Sequence, residues 1–208
     1  MQVLRGAPER TASLGRSVEA LLVRIPLTPA AAAPPDEPLP LCARCGSRGY
    51  NVHQRDRRRV KDPHVRQVVV LRYVCKRCGR ARRVYPVGFG SSRQSDGLKE
   101  LCVLLYWLGL AYLEVRGVLA DLGCPLSCTS IRRNVESARG TAGLPPPGRL
   151  HLRAVGGGML RGRDGLIALR LEHTPTARSL VAEIAPGPNA QHVRWRLESA
   201  AALLARAR

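Results

Sequence analysis

Two C-x-x-C pairs, Cys42-Ala-Arg-Cys45 and Cys75-Lys-Arg-Cys78, constrain this chain more than any other feature. A C-x-x-C turn aims two thiols at one place. Two such turns supply four soft donors, the closed tetrahedral set of a structural zinc site with Zn–S bonds of about 2.3 Å. A glycine follows each pair, Gly46 and Gly79, where the backbone has to turn sharply. The intervening residues, 46–74, are filled naturally by a two-stranded hairpin. Apparent zinc-binding energies of about 10–16 kcal/mol offset both loop closure and charge repulsion in such a segment. Cys42, Cys45, Cys75 and Cys78 are therefore expected to ligate one structural Zn2+.

The remaining three of the seven cysteines, Cys102, Cys124 and Cys128, fall at apolar positions or turns and read as small hydrophobes. His53 and His64 compete as ligands, but they are placed on the exposed hairpin. The N-terminal apolar run Val18–Val23 is short and broken by Glu19, unlike the apolar stretch of a secretory signal. Cysteines in a chain read this way point to metal in a reducing compartment rather than to disulfides, so a cytoplasmic, nucleoid-associated setting is expected. The most apolar run, Leu101–Leu113, falls short of the ~20 residues of a membrane span and reads as a buried helix.

Charge supplies the second constraint. The 208 residues carry a formal net charge of +19, nearly all of it from arginine. Such an excess favours a polyanionic partner. Around and between the cysteine pairs, Arg44, Arg48, Arg72, Arg77, Arg80 and the two lysines Lys61 and Lys76 join a larger set that only Asp56 and Asp62 oppose. Alternate residues of a hairpin share a face, so this charge should project as a stripe. Guanidinium forks match phosphate oxygens. On this basis Arg55, Arg57, Arg58, Arg59, Arg66, Arg82 and Arg83 are expected to contact double-stranded DNA, with steep salt dependence and little base reading. Only Tyr50, Tyr73 and Tyr85 are available for stacking, which argues against single-strand binding.

Along the chain, residues 1–40 read as a disordered extension ending in a Pro/Ala linker over 27–40; a short helix around Ser17–Arg24 is the alternative. Residues 41–90 form the ribbon, with almost no hydrophobic core of its own and with Asp62-Pro63 as the turn between its first two strands. Over 95–140 the period changes to helical. The first helix is capped by Ser95 or Asp96, the second runs from about Tyr112 to Leu122 and is ended by Gly123, and Ser127 caps the third. The third buries Cys128, Ile131, Val135 and Ala138. Its other faces carry Thr129, Ser130, Arg132, Arg133 and Asn134, which suit the reading helix of a helix-turn-helix. A second linker covers 141–149. Residues 150–185 return to β patterning, and a terminal helix follows from about residue 191.

The order of these parts resembles the N-terminal DNA-binding half of prokaryotic insertion-sequence transposases. The likeness covers roughly 41–139 and is carried by "CARCGS…YVCKRCGRARRVYP" and "LKELCVLLYWLGLAYLEVRGVLADLGCPLSCTSIRRNVESA". Ala111 departs from it, standing where a serine would cap the second helix, at a cost of roughly 1 kcal/mol. The resemblance implies that an RNase H-like domain follows, with three carboxylates holding two Mg2+ ions. Here Gly157–Gly158 stand where the first Asp would be, and Asp164, Glu172, Glu183 and Glu198 have no spacing that converges on a metal pair. The later strands of that fold have no counterpart before Arg208.

The fold expected is thus α+β and multi-modular: a β zinc ribbon, a three-helix helix-turn-helix, and a truncated RNase H-like fragment over 150–208. The function expected is DNA binding without catalysis, with no catalytic residues, structural Zn2+ and no bound Mg2+. A transcription regulator built from the same two modules is the alternative. A working nuclease completed by a partner chain is a third reading, one that would route through Asp164. The truncated β region should expose an unpaired strand edge and be poorly soluble unless a homodimer covers it.

Overall fold

The computed structural model describes residues 20–142, 152–162, 165–174 and 177–206. It is mixed α+β, with two sheets and four helices among the described residues. The chain divides into two compact units. One comprises Pro26–Leu101 with His173–Arg178, and the other comprises the segment up to Ile25, Cys102–Glu172 and Ser179–Arg208. No helix among the described residues is long and apolar enough to cross a membrane.

In the first unit, strands β2 (Tyr50–Arg59), β3 (Gln67–Cys75) and β4 (Ala81–Val84) form an antiparallel sheet with β3 in the centre. β-Branched Val68, Val69 and Val70 favour the strand at β3. Its inward residues Val68 and Val70 pack with Ala30 and Phe89, and Val60, Val65 and Tyr85 flank the cluster. The ribbon therefore has a small core after all, but half of it comes from outside the three strands.

That core corrects the linker expected over 27–40. Ala30 is buried, Val69 N donates to Ala32 O (2.9 Å), and Ala31 N donates to Val87 O (3.0 Å). β4 ends too early to satisfy Val69 N–H, so the 30–32 backbone takes its place. Thr28 N and Oγ1 both donate to the Glu100 carboxylate. Only 33–40 remain mostly exposed and without regular structure.

The larger sheet, mostly in the second unit, comprises β1 (Leu21–Leu27), β5 (Arg153–Gly156), β6 (Met159–Gly162), β7 (Gly165–His173) and β8 (Arg178–Ile184) in the order β1-β8-β7-β6-β5. β1 lies in the region expected to be disordered. Its reason is a period-2 pattern: Val23, Ile25 and Leu27 are buried while Leu22, Arg24 and Pro26 are exposed. Proline is tolerated because β1 is an edge strand. β1 thus pairs with β8 and forms the edge of the sheet on that side. The opposite edge is β5, only four residues long.

The stretch Leu152–Leu160 is not one continuous strand. It folds back at Gly157–Gly158, where Gly156 pairs with Met159 and both loop glycines have positive φ, 59° and 76°. A two-residue loop with both φ positive matches the twist of its strands. Asp164 lies outside the described residues, as do 143–149 of the expected second linker.

Helices α1 (Asp96–Trp107), α2 (Tyr112–Asp121) and α3 (Cys128–Ala142) stand where the 3.6-residue period puts them, and α4 spans Ala190–Arg206. Ser95 Oγ accepts from Leu98 N (3.2 Å), so Ser95 rather than Asp96 caps α1. Gly123, at φ 78°, follows the end of α2. At Ala111 the missing hydroxyl is partly made good: Ala111 N donates to Glu114 Oε2 (2.9 Å), the reciprocal half of a capping box.

Candidate metal centre and cationic face

The two C-x-x-C turns fold alike. Gly46 N donates to Cys42 O (2.8 Å) and Gly79 N to Cys75 O (3.0 Å). Cys42 N then reaches Ser47 O (2.9 Å), and Cys75 N reaches Arg80 O (3.0 Å). Gly46 and Gly79 adopt φ 69° and 70°, which only glycine reaches without strain. Lys76 N donates to Gly49 O (3.0 Å) and ties one turn to the other.

The result is a cluster of four thiols. Cys42 and Cys78 sulfurs lie 3.6 Å apart, Cys45 and Cys75 sulfurs 3.6 Å apart, and all four within 4.8 Å of one another. Tetrahedral bonds of about 2.3 Å require sulfurs roughly 3.8 Å apart, so the donors fit an ion such as Zn2+. Their electrostatics point the same way. The amides of Arg44 and Cys45 draw the Cys42 thiol down to about 6, and those of Cys78 and Arg77 lower Cys75. At Cys45 the Ser47 amide pulls downward but loses to burial and the three neighbouring sulfurs, which push it up to about 11. Four thiolates at this spacing repel; a divalent cation among them removes the conflict. Neither histidine weighed as a ligand belongs to the cluster: His53 is exposed at a bulge, and His64 stacks on His173 at 4.5 Å.

The strand register sorts the arginines. Directly paired residues share a face of a sheet. Arg55 pairs with Leu71, Arg57 with Val69, Arg59 with Gln67, and Tyr73 with both Val52 and Arg82. These lie on the outer face, opposite buried Val68 and Val70. Among the strand residues on that face no carboxylate occurs. The other face receives Arg58, opposite Val68, and Arg83, opposite Arg72. Arg58 is engaged there: its guanidinium carbon is 5.9 Å from the Tyr85 ring centroid and Nη2 donates to Ser91 O (3.1 Å). Arg66 is exposed and precedes β3, its carbonyl accepting from Val60 N (3.0 Å) to close the hairpin.

A bulge at His53 sets this division. Val52 pairs with Tyr73 and Gln54 with Arg72, so one residue is skipped and parity changes. Plain alternation from Val52 would have placed Gln54, Asp56 and Arg58 outward.

The α3 residues are also unequal. Thr129 and Arg133 are exposed. Arg132 Nε binds Glu136 Oε1 at 2.7 Å. Ser130 is held by the Ser127 cap through its amide and its hydroxyl (3.2 and 3.0 Å). Asn134 is half-buried and donates to Cys102 Sγ (3.5 Å), which leaves it turned inward.

One buried polar group escapes sequence reading. Asp62, a turn residue by its neighbours, accepts from Arg178 at 2.5 and 2.9 Å and from the amides of His64 and Val65 at 2.9 Å each. Both side chains of the ion pair are essentially inaccessible. Among the described residues the four thiols are the one convergent group of three or more metal-ligating side chains. No family model, curated protein or solved structure matches this chain.

Proposed function

We propose that this chain is a DNA-binding protein of the insertion-sequence transposase kind, in which a zinc ribbon supplies phosphate contacts and α3 supplies base contacts. The observation that carries this reading is the outer ribbon face, with Arg55, Arg57, Arg59 and Arg82 and no carboxylate among its strand residues. Such a face lowers its own repulsion by exchanging counterions for phosphates. Zn2+ held by Cys42, Cys45, Cys75 and Cys78 fixes the two chain turns that frame it. Following Gly123, Ser127 caps a helix that presents Thr129 and Arg133, the pair left accessible for base edges. Gly157–Gly158 occupy a hairpin loop where the resemblance calls for a carboxylate, so strand cleavage is not part of the proposal.

Titrating duplex DNA against the full chain at several salt concentrations tests it. The logarithm of affinity should fall linearly with the logarithm of salt. Replacing Arg55 and Arg57 by alanine should flatten the slope by about 0.9 for each phosphate that is no longer neutralised. Replacing Arg58 should leave the slope unchanged. Salt-independent binding, or equal effects from all three, would defeat the reading.

A further inference from the structure

The outer ribbon face is cationic only at its flanks. Its centre is the outward side of β3, where Val69, Leu71 and Tyr73 are half-buried and apolar. The register places Arg55 and Arg57 along one flank and Arg82 on the other, in the same cross-strand row as Tyr73. Tyr50 meets Tyr73 edge-on, with ring centroids 6.5 Å apart and planes at 79°, and so fixes the Tyr73 ring. Neighbouring strands are about 4.8 Å apart, so the guanidiniums stand one strand away from the stripe on either side.

A duplex presents phosphates and polar base edges and keeps its base faces stacked inside. Laid across this face, a duplex would use the arginine flanks but leave the apolar stripe without a matching surface. An unpaired strand has free base faces, which stack on aromatic rings and cover apolar surface, while its phosphates reach flanking cations. From this charge and polarity pattern we infer that the ribbon face takes an unpaired stretch of nucleic acid. A base stacks on Tyr73, its neighbour covers Leu71 and Val69, and Arg55, Arg57 and Arg82 hold the phosphates. The inference rests on the nucleic-acid reading above and adds the state of the strand. It also reverses the sequence expectation: the few tyrosines argue against single strands, but the fold gathers two of them on the arginine face.

The test measures binding of the full chain to a 15-nucleotide oligothymidylate, to a mixed duplex of 15 base pairs, and to oligoglutamate, at one salt concentration. The oligothymidylate should bind at least tenfold more tightly than the duplex. Tyr73→Ala should weaken oligothymidylate binding about tenfold and change duplex binding less than twofold. Tyr73→Phe should keep wild-type affinity, because stacking needs the ring and not the hydroxyl, and this variant separates stacking from misfolding. Duplex preference by the wild type, or equal losses on both nucleic acids in Tyr73→Ala with Tyr73→Phe intact, overturns the inference and leaves the nucleic-acid reading standing. Oligoglutamate binding as tight as either nucleic acid, or no binding to either, overturns both.

Discussion

Asp62 accepts hydrogen bonds from a guanidinium fork and two amides in a place shut off from water. Burial alone would raise its pKa; Arg178, Ser95 and the two amides outweigh burial and hold it below the ordinary value. Asp62→Asn keeps the shape and an acceptor for the amides but strands a buried cation. It should destabilise the fold by about 3–5 kcal/mol in denaturant unfolding, and a loss under 1 kcal/mol would refute the ion pair's role. His64, stacked on His173 beside this pair, has its pKa lowered by burial first and then by His173 and Arg178. The signs agree. A carboxylate with a depressed folded pKa stabilises above its unfolded value of about 4, and that contribution is lost as pH falls through the folded value. A histidine with a depressed folded pKa costs stability once pH drops below its unfolded value of about 6.5. The melting temperature should therefore fall in two stages on acidification, the first setting in below about pH 6.5. His64→Asn should remove the first stage and leave the second; a wild-type melting temperature flat from pH 7 to 5 would contradict the assignment.

At the level of elements, the C-x-x-C turns carry their own geometry, because glycine, amide and sulfur positions are set within six residues. A bound metal ion would complete them. The purified chain should hold one equivalent of zinc. Cys42→Ser should lose it together with the amide protection of β2 and β3, and a variant retaining both would show that three sulfurs suffice. This locality is why the convergence of the four cysteines is legible from spacing alone, as are α1 to α3 from their period and caps. Other features are not local. The bulge at His53 leaves no mark in composition, yet it decides which arginines face outward. Asn134 reads as a base-contacting residue because helical periodicity places it on a flank; only the tertiary fold shows Cys102 Sγ within reach of it. Arg178 and Asp62 lie 116 positions apart, and no motif links them. A two-residue Asp-Pro signal marks the turn and conceals the buried ion pair.

Over the whole molecule, the segment least promising in sequence supplies an outer strand of the larger sheet. A segment just ahead of a Pro- and Ala-rich stretch, with a proline of its own, reads as extension, but Val23, Ile25 and Leu27 need only period two to bury one side. Without β1, β8 would present an unpaired edge whose residues are almost all buried in the intact chain, Leu180, Val181, Ala182 and Ile184 among them. Such an edge is a template for pairing with another copy. The opposite edge is protected differently: β5 is short and starts at an exposed arginine, Arg153. A chain starting at Thr28 should therefore self-associate. Light scattering at rising protein concentration should show growth that the full chain lacks, and adding the Leu21–Leu27 peptide in excess should suppress it. Truncated protein that stays monodisperse, with the melting temperature of the full chain, would mean that β8 needs no neighbour and that β1 contributes little to the sheet it borders.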